Sequence, residues 1–76
     1  GRLAEGNSYT INRDINGLVT SITTQLPDSV IKTFTFTRDM NDSVSTVNIS
    51  NSDSSYNKTY TFVRDADGLV TSINIL

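Results

Sequence analysis

One hairpin-like motif occurs three times in this chain, and that repetition constrains the fold more than any other feature. The copies read YTINRDINGLVTSIT from Tyr9, FTFTRDMNDSVSTVNI from Phe34 and YTFVRDADGLVTSINI from Tyr60. Their leading aromatic residues are 25 and then 26 residues apart. A fixed period of this length indicates one small structural unit per copy.

The three copies fill nearly the whole chain, so they predict a single all-β repeat domain over residues 1–76. Because this length is only about half that of a typical domain, we expect the chain to be a piece of a longer protein. The hairpin repeats are expected near residues 8–26, 30–50 and 57–76.

Composition and periodicity both predict β-strands. The chain has 11 Thr, 10 Ser and 8 Asn, and β-branched and short polar side chains favour strands and turns over helices. No segment has an apolar period of 3.6 residues over three turns. The predicted fold is a six-stranded antiparallel meander, curled or packed through one apolar face, with strands near 8–14, 18–26, 30–39, 43–50, 57–65 and 69–75.

Each hairpin has turn residues at its centre: Asn16-Gly17, Asn41-Asp42 or Asp67-Gly68. They predict a two-residue type I′ loop, and the alternative is a type I turn followed by a bulge at Gly. The two-residue loop places almost every large apolar residue on one face, whereas a register shift would mix the faces. We therefore expect two-residue loops, with the pairs Tyr9 and Thr24, Ile11 and Ile22, Ile15 and Leu18, Phe36 and Val47, Met40 and Ser43, Phe62 and Ile73, and Ala66 and Leu69.

The apolar face needs a cover, because fully burying a Phe, Leu or Ile side chain contributes about 1.5–3 kcal/mol. The sheet can curl into a half-barrel, pack against a second copy, or stack within a longer array of repeats. The outer strands also predict self-association by edge pairing with another chain.

A row of arginines on the apolar face is the most distinctive candidate site. Strand parity predicts Arg13, Arg38 and Arg64 opposite Thr20, Ser45 and Thr71. The row would suit a carboxylate, a sulfate or an acidic glycan. The favoured interpretation is structural: each stem covers aromatic surface while its guanidinium reaches the sheet rim or an Asp.

The aromatic residues of the same face form a second candidate site. They alternate in phase with Ile and Val, which favours packing within the face over a platform for stacking sugars. The aromatic residues concerned are Tyr9, Phe34, Phe36, Tyr60 and Phe62.

The acidic residues of the turns resemble the opening of a calcium loop, but no Glu follows to complete one. Asx side chains that accept hydrogen bonds from the turn backbone explain the same residues, so no metal site is predicted. These acids are Asp14, Asp39, Asp42, Asp65 and Asp67.

Charge and composition exclude several function classes. A net charge of −2 with 18% charged residues argues against nucleic-acid binding. The absence of Cys and His removes disulfides and the common thiolate and imidazole chemistry. No apolar run is long enough for a membrane span. We predict no enzyme activity and no cofactor.

The motif resembles the YD or Rhs-type repeats of bacterial cell-surface and secreted proteins, and it is similar to hairpin repeats of small lipoproteins of gut bacteria. The matching positions are Asp14 with Gly17, Asp65 with Gly68, and Asp39 of the middle copy. Arg stands where those repeats have the Tyr of Tyr-Asp. The resemblance implies a non-catalytic structural or interaction module outside the cytoplasm. The alternative is a carbohydrate- or anion-binding module that uses the aromatic and Arg rows.

Overall fold

The protein is a single antiparallel sheet, seen in a computed structural model that describes residues 8–76. Residues 1–7 of the expected domain lie outside this range. The predicted six-stranded meander is confirmed, and each strand starts and ends within about one residue of its expected limit. The strands, in chain order and in sheet order, are β1 Tyr9–Arg13, β2 Val19–Gln25, β3 Ile31–Arg38, β4 Val44–Asn51, β5 Asn57–Arg64 and β6 Val70–Ile75.

The register within the strands agrees with the sequence analysis. Ile11 lies opposite Ile22, and Tyr9 lies opposite Thr24. The corresponding pairs in the other two hairpins, Phe36 with Val47 and Phe62 with Ile73, are also present. Alternation therefore places the large apolar side chains on one face and most Thr, Ser and Asn side chains on the other.

The turns differ from the prediction of two-residue loops. In the first hairpin the Gly17 N–H donates to the Asp14 carbonyl at 3.0 Å, and the Asp14 N–H donates to the Leu18 carbonyl at 2.9 Å. Gly17 has φ +83°, whereas Ile15 and Asn16 have negative φ. Negative φ at both central residues excludes a type I′ turn. The loop is a type I-like turn followed by a left-handed residue, which is the alternative that the sequence analysis rejected.

A bulge after each turn restores the register that the longer loop would otherwise shift. Arg13 lies opposite Val19 and Asn12 opposite Ser21, so Thr20 is an extra residue without a partner. Its hydroxyl donates to the Asn12 carbonyl at 3.2 Å. One extra residue in the loop and one in the strand cancel, so both faces stay in phase.

The same arrangement recurs at Ser45 and Thr71 in the other hairpins. The predicted pairs next to the turns are therefore wrong. Each Arg lies opposite a Val, and the central residues of each loop lie opposite no residue of the partner strand. The incorrect pairs are Ile15 with Leu18, Met40 with Ser43, Ala66 with Leu69, Arg13 with Thr20, Arg38 with Ser45, and Arg64 with Thr71.

The apolar face remains uncovered by residues 8–76. No apolar side chain among these residues is buried, and Tyr9 is 61% exposed. Only strands adjacent in sequence contact each other, so the described sheet does not curl onto itself. Its radius of gyration is 14.6 Å, compared with roughly 11 Å for a compact domain of this length. Within residues 8–76 no helix is long and apolar enough to cross a membrane.

Candidate functional site

The turn aspartates accept hydrogen bonds from the backbone N–H groups of their own turns. One carboxylate oxygen of Asp14 accepts hydrogen bonds from the N–H groups of Asn16 at 2.9 Å and Leu18 at 3.0 Å. Asp39 and Asp65 make the same pair of bonds, at 2.8–3.1 Å. This is the Asx geometry that the sequence analysis favoured over a calcium loop. Each carboxylate satisfies two donors that the tight loop leaves without a backbone partner.

Each arginine of the candidate row donates a hydrogen bond to the turn of its own hairpin. Arg13 Nη1 lies 2.8 Å from the Gly17 carbonyl oxygen. Arg38 Nη1 reaches the Asp42 carbonyl at 3.0 Å, and Arg64 Nη1 reaches that of Gly68 at 2.9 Å. The acceptor is therefore the carbonyl of the left-handed residue, where the sequence analysis expected the sheet rim or an Asp side chain.

The second and third arginines also reach the preceding hairpin. Arg38 Nη2 donates to the Val19 carbonyl at 3.0 Å, and Arg64 Nη2 donates to the Val44 carbonyl at 2.9 Å. We call this arrangement the arginine bridge: an Arg that joins its own turn to the Val carbonyl at the bulge of the preceding hairpin. Both bridged arginines are half-buried, whereas Arg13 is exposed.

The arginine bridge was not predicted from the sequence. Strand parity predicted that the arginines follow the aromatic residues on one face. It could not indicate the acceptors, because these are backbone carbonyls of another repeat and their direction depends on the unexpected bulge. The repeated Arg-Asp pair was the available signal, since a polar pair that recurs at each turn indicates a role in the repeat itself.

The aromatic residues of the candidate site are only partly brought together. The hydroxyl groups of Tyr56 and Tyr60 are 2.9 Å apart. Lys32 Nζ lies 5.7 Å from the ring centre of Phe34 and 5.8 Å from that of Tyr56, within the range of a cation–π contact. We call Lys32, Phe34, Tyr56 and Tyr60 the aromatic patch. Tyr9 lies two strands away from Lys32 on the edge strand β1.

Two residues of the aromatic patch, Lys32 and Tyr56, were not singled out in the sequence analysis. Lys32 shares strand parity with Phe34, and this signal could have identified it. The hydrogen bond with Tyr60, followed by partial desolvation and by repulsion between the two phenolates, raises the pKa of Tyr56 above its usual value.

The connector between β4 and β5 is anchored to β3. The Ile31 N–H donates to the Ser52 hydroxyl, and the Ser52 N–H donates to the Ile31 carbonyl, both at 2.9 Å. Hydrogen bonds from the side chain and backbone of Ser55 lower the pKa of Asp53. This polar loop thus has a defined conformation, with Ser54 in the left-handed region at φ 66°.

The polar face is joined by amide and hydroxyl contacts between neighbouring strands. The Asn48 side-chain amide donates to Asn57 Oδ1 at 2.9 Å and to Thr59 Oγ1 at 3.0 Å, and the Asn12 amide donates to Ser21 Oγ at 3.0 Å. Across residues 8–76, no three side chains of the types His, Cys, Asp and Glu converge on one point where an ion could sit.

Searches against protein-family models, curated proteins and solved structures returned no match for this chain. Its function therefore has to be inferred from the geometry of the repeats.

Proposed function

We propose that the chain is a non-catalytic structural or interaction module of an extracytoplasmic bacterial protein. The observation that carries this proposal is the arginine bridge, which occurs at both junctions between consecutive hairpins. A guanidinium that donates to two carbonyls in the same way in successive repeats stabilises the array of hairpins. The arginines thus have a sufficient role without any ligand.

The turn aspartates support the same proposal. Their carboxylates already accept two backbone hydrogen bonds each, as expected for residues that shape a loop. General acid–base chemistry would need an acid positioned against a substrate in a cleft. The aspartates instead lie in separate turns, one in each hairpin.

The extracytoplasmic location rests on the resemblance of the repeats to those of bacterial surface and secreted proteins. Fractionation of the producing bacterium tests it. We expect the protein in the envelope or the medium, and recovery in the cytoplasmic fraction alone would contradict the proposed location.

The second candidate function is binding of a carbohydrate or an anion, and the aromatic patch favours it. Lys32 places a cation beside two aromatic rings on a face that is open to solvent. An acidic sugar could stack on a ring and pair with the ammonium group. The arginine row contributes less to this candidate, because its guanidinium groups are bound to carbonyl oxygens.

A glycan array combined with thermal unfolding distinguishes the two functions. For a structural module we expect no array signal from the wild type, and we expect Arg38→Ala and Tyr60→Ala to affect unfolding only. Saturable glycan binding that Lys32→Ala abolishes at unchanged stability would overturn the structural proposal. Lys58→Ala is the matched control, because it removes a lysine from the same face of the sheet, whereas the cation–π contacts of the aromatic patch come from Lys32.

A further inference from the structure

The two junctions between hairpins are built alike, although their connectors differ. Ser21 lies opposite Thr35 where β2 meets β3, and Thr46 lies opposite Thr61 where β4 meets β5. In both junctions the residue two places after the bridging Val faces the residue three places before the bridging Arg. The junction geometry is therefore a property of the repeat.

The connectors do not impose this common register. The first is closed by the Leu26 N–H on the Val30 carbonyl, around residues 27–29. The second is closed by the Asn51 N–H on the Tyr56 carbonyl, around residues 52–55, and is one residue longer. The register is the same with either loop, and the two junctions have the strand faces and the arginine bridge in common. Two strands that are not covalently connected can therefore form the same junction.

The edges of the sheet present the two halves of such a junction. On β1, Arg13 is bound to its own turn as the other arginines are, but no hairpin precedes it within residues 8–76. On β6, Val70 lies opposite Arg64 beside the bulge at Thr71, as Val19 and Val44 do in their hairpins. Both edge strands are exposed along their whole length.

We propose that β1 of a second copy of this chain pairs with β6 of the first. Arg13 of the second copy donates to the Val70 carbonyl of the first and so completes an arginine bridge. The register of the internal junctions places Ser72 opposite Thr10 and Ile73 opposite Tyr9. These residues correspond to Ser21 with Thr35 and Ile22 with Phe34 at the first junction.

The contact joins two different edges, so each added copy leaves one β1 and one β6 free. Association of this kind continues in one direction and does not close at a dimer. This inference rests on the proposed structural role and names its partner. It also brings the exposed Ile73 of one copy beside the exposed Tyr9 of the next.

Disulfide trapping tests the proposed edges directly, because the chain contains no Cys. Thr10 and Ser72 would form a pair without mutual backbone hydrogen bonds, in which the Cα atoms are close enough for a disulfide. A mixture of the single variants Thr10→Cys and Ser72→Cys should form a covalent dimer under mild oxidation. Thr10→Cys mixed with Asn74→Cys, two residues out of register, should form much less.

Each other outcome of the trapping experiment contradicts the proposal. A dimer of Thr10→Cys alone indicates that β1 pairs with β1, and a dimer of Ser72→Cys alone indicates that β6 pairs with β6. A mixture that forms no more dimer than the single variants overturns the pairing of β1 with β6. None of these results affects the glycan test, so failure of this inference is separable from failure of the proposed function.

Sedimentation velocity of the wild type tests how the assembly grows. We expect the mean size to rise with concentration beyond the dimer, and a monomer at all concentrations or a dimer that stays constant would overturn the proposal. Arg13→Ala should weaken association several-fold. Arg38→Ala removes the equivalent turn contact, and an internal bridge as well, in the central hairpin away from both edge strands, so its folded form should associate as the wild type does. Equal association by the Arg13→Ala variant would exclude the bridge to Val70.

Discussion

At the scale of single residues, the charged side chains that most resemble a ligand-binding site make hydrogen bonds to the backbone. Arg38 connects its own turn to β2, and Asp39 satisfies two donors of the same turn. Complete burial is rare at this scale, because Thr24 is the only buried residue among residues 8–76. Polar contacts are therefore a second source of sensitivity to substitution beside the half-buried apolar face.

Replacing Arg38 with Ala should destabilise the protein more than replacing Arg13 does. The Arg38 guanidinium donates to two carbonyls, and hydrogen bonds from charged groups contribute about 1.5–3 kcal/mol each before solvent exposure is considered. We expect the free energy of unfolding to fall by about 1–3 kcal/mol for Arg38→Ala and by less for Arg13→Ala, measured by urea unfolding. Equal losses would mean that the contact with Val19 contributes nothing.

Tyr56 should make the fold sensitive to alkaline pH. Its pKa in the folded protein is raised, mainly by the hydrogen bond with Tyr60, so the folded state holds the phenol proton more tightly than the unfolded state does. The corresponding stabilisation is complete below the unfolded pKa of about 10 and is lost as the pH rises through the folded pKa.

The change in ultraviolet absorbance on phenolate formation measures this titration. Tyr60→Phe should shift the titration of Tyr56 to lower pH. Tyr9→Phe, which changes a tyrosine on the edge strand β1, far from β5, should leave the titration of Tyr56 in place. An unchanged titration in Tyr60→Phe would show that the hydrogen bond is not the cause.

At the scale of hairpins and turns, the sequence analysis predicted the strands and their register but not the loops. Apolar alternation in pairs such as Ile11 with Ile22 identifies the faces, and this pattern is independent of the turn type. A two-residue loop and a three-residue loop with a compensating bulge give the same alternation. The sequence did contain a signal for the longer loop, because Asp14 precedes Gly17 by three residues and suits the first position of a type I turn.

The left-handed position of the turn offers a matched pair of substitutions. Asp42 has φ 64° where the other hairpins have Gly17 and Gly68. Asp42→Gly should stabilise the protein by about 0.5–1 kcal/mol, because Gly adopts this conformation without steric strain. Gly68→Ala should destabilise it by roughly 1–2 kcal/mol. An added Cβ at Gly68 would meet no atom within 4 Å, so the loss would come from the backbone alone.

Thermal and urea unfolding measure both variants. Destabilisation by Asp42→Gly would show that the Asp42 side chain contributes a contact that outweighs its backbone strain.

At the scale of the whole molecule, stability is distributed along one dimension. Each strand contacts only its neighbours in sequence, and no layer of residues 8–76 covers the apolar face. In such arrays the stability of a unit depends on its own contacts and on those with adjacent units. Central strands are supported on two sides and edge strands on one.

Hydrogen exchange should therefore be slowest in β3 and β4 and fastest in β1 and β6. β4 is half-buried along its whole length, whereas β1 and β6 are exposed throughout. Amide exchange followed by NMR at low protein concentration measures the gradient. Uniform protection across the six strands would contradict it and would indicate all-or-none opening of the sheet. At high concentration, pairing of β1 with β6 should slow exchange selectively at these two edges.

The order of the strands also determines how the sheet responds to mechanical force. The first and last strands lie at opposite edges, so tension applied to the two ends of the sheet acts across the strands and separates their hydrogen bonds one at a time. A sheet loaded in this way unzips at low force and lengthens in steps. Force applied at Tyr9 and Ile75 would thus open the sheet from its edges. Each hairpin that opens would add a fixed length of extended chain, while the remaining hairpins stay folded.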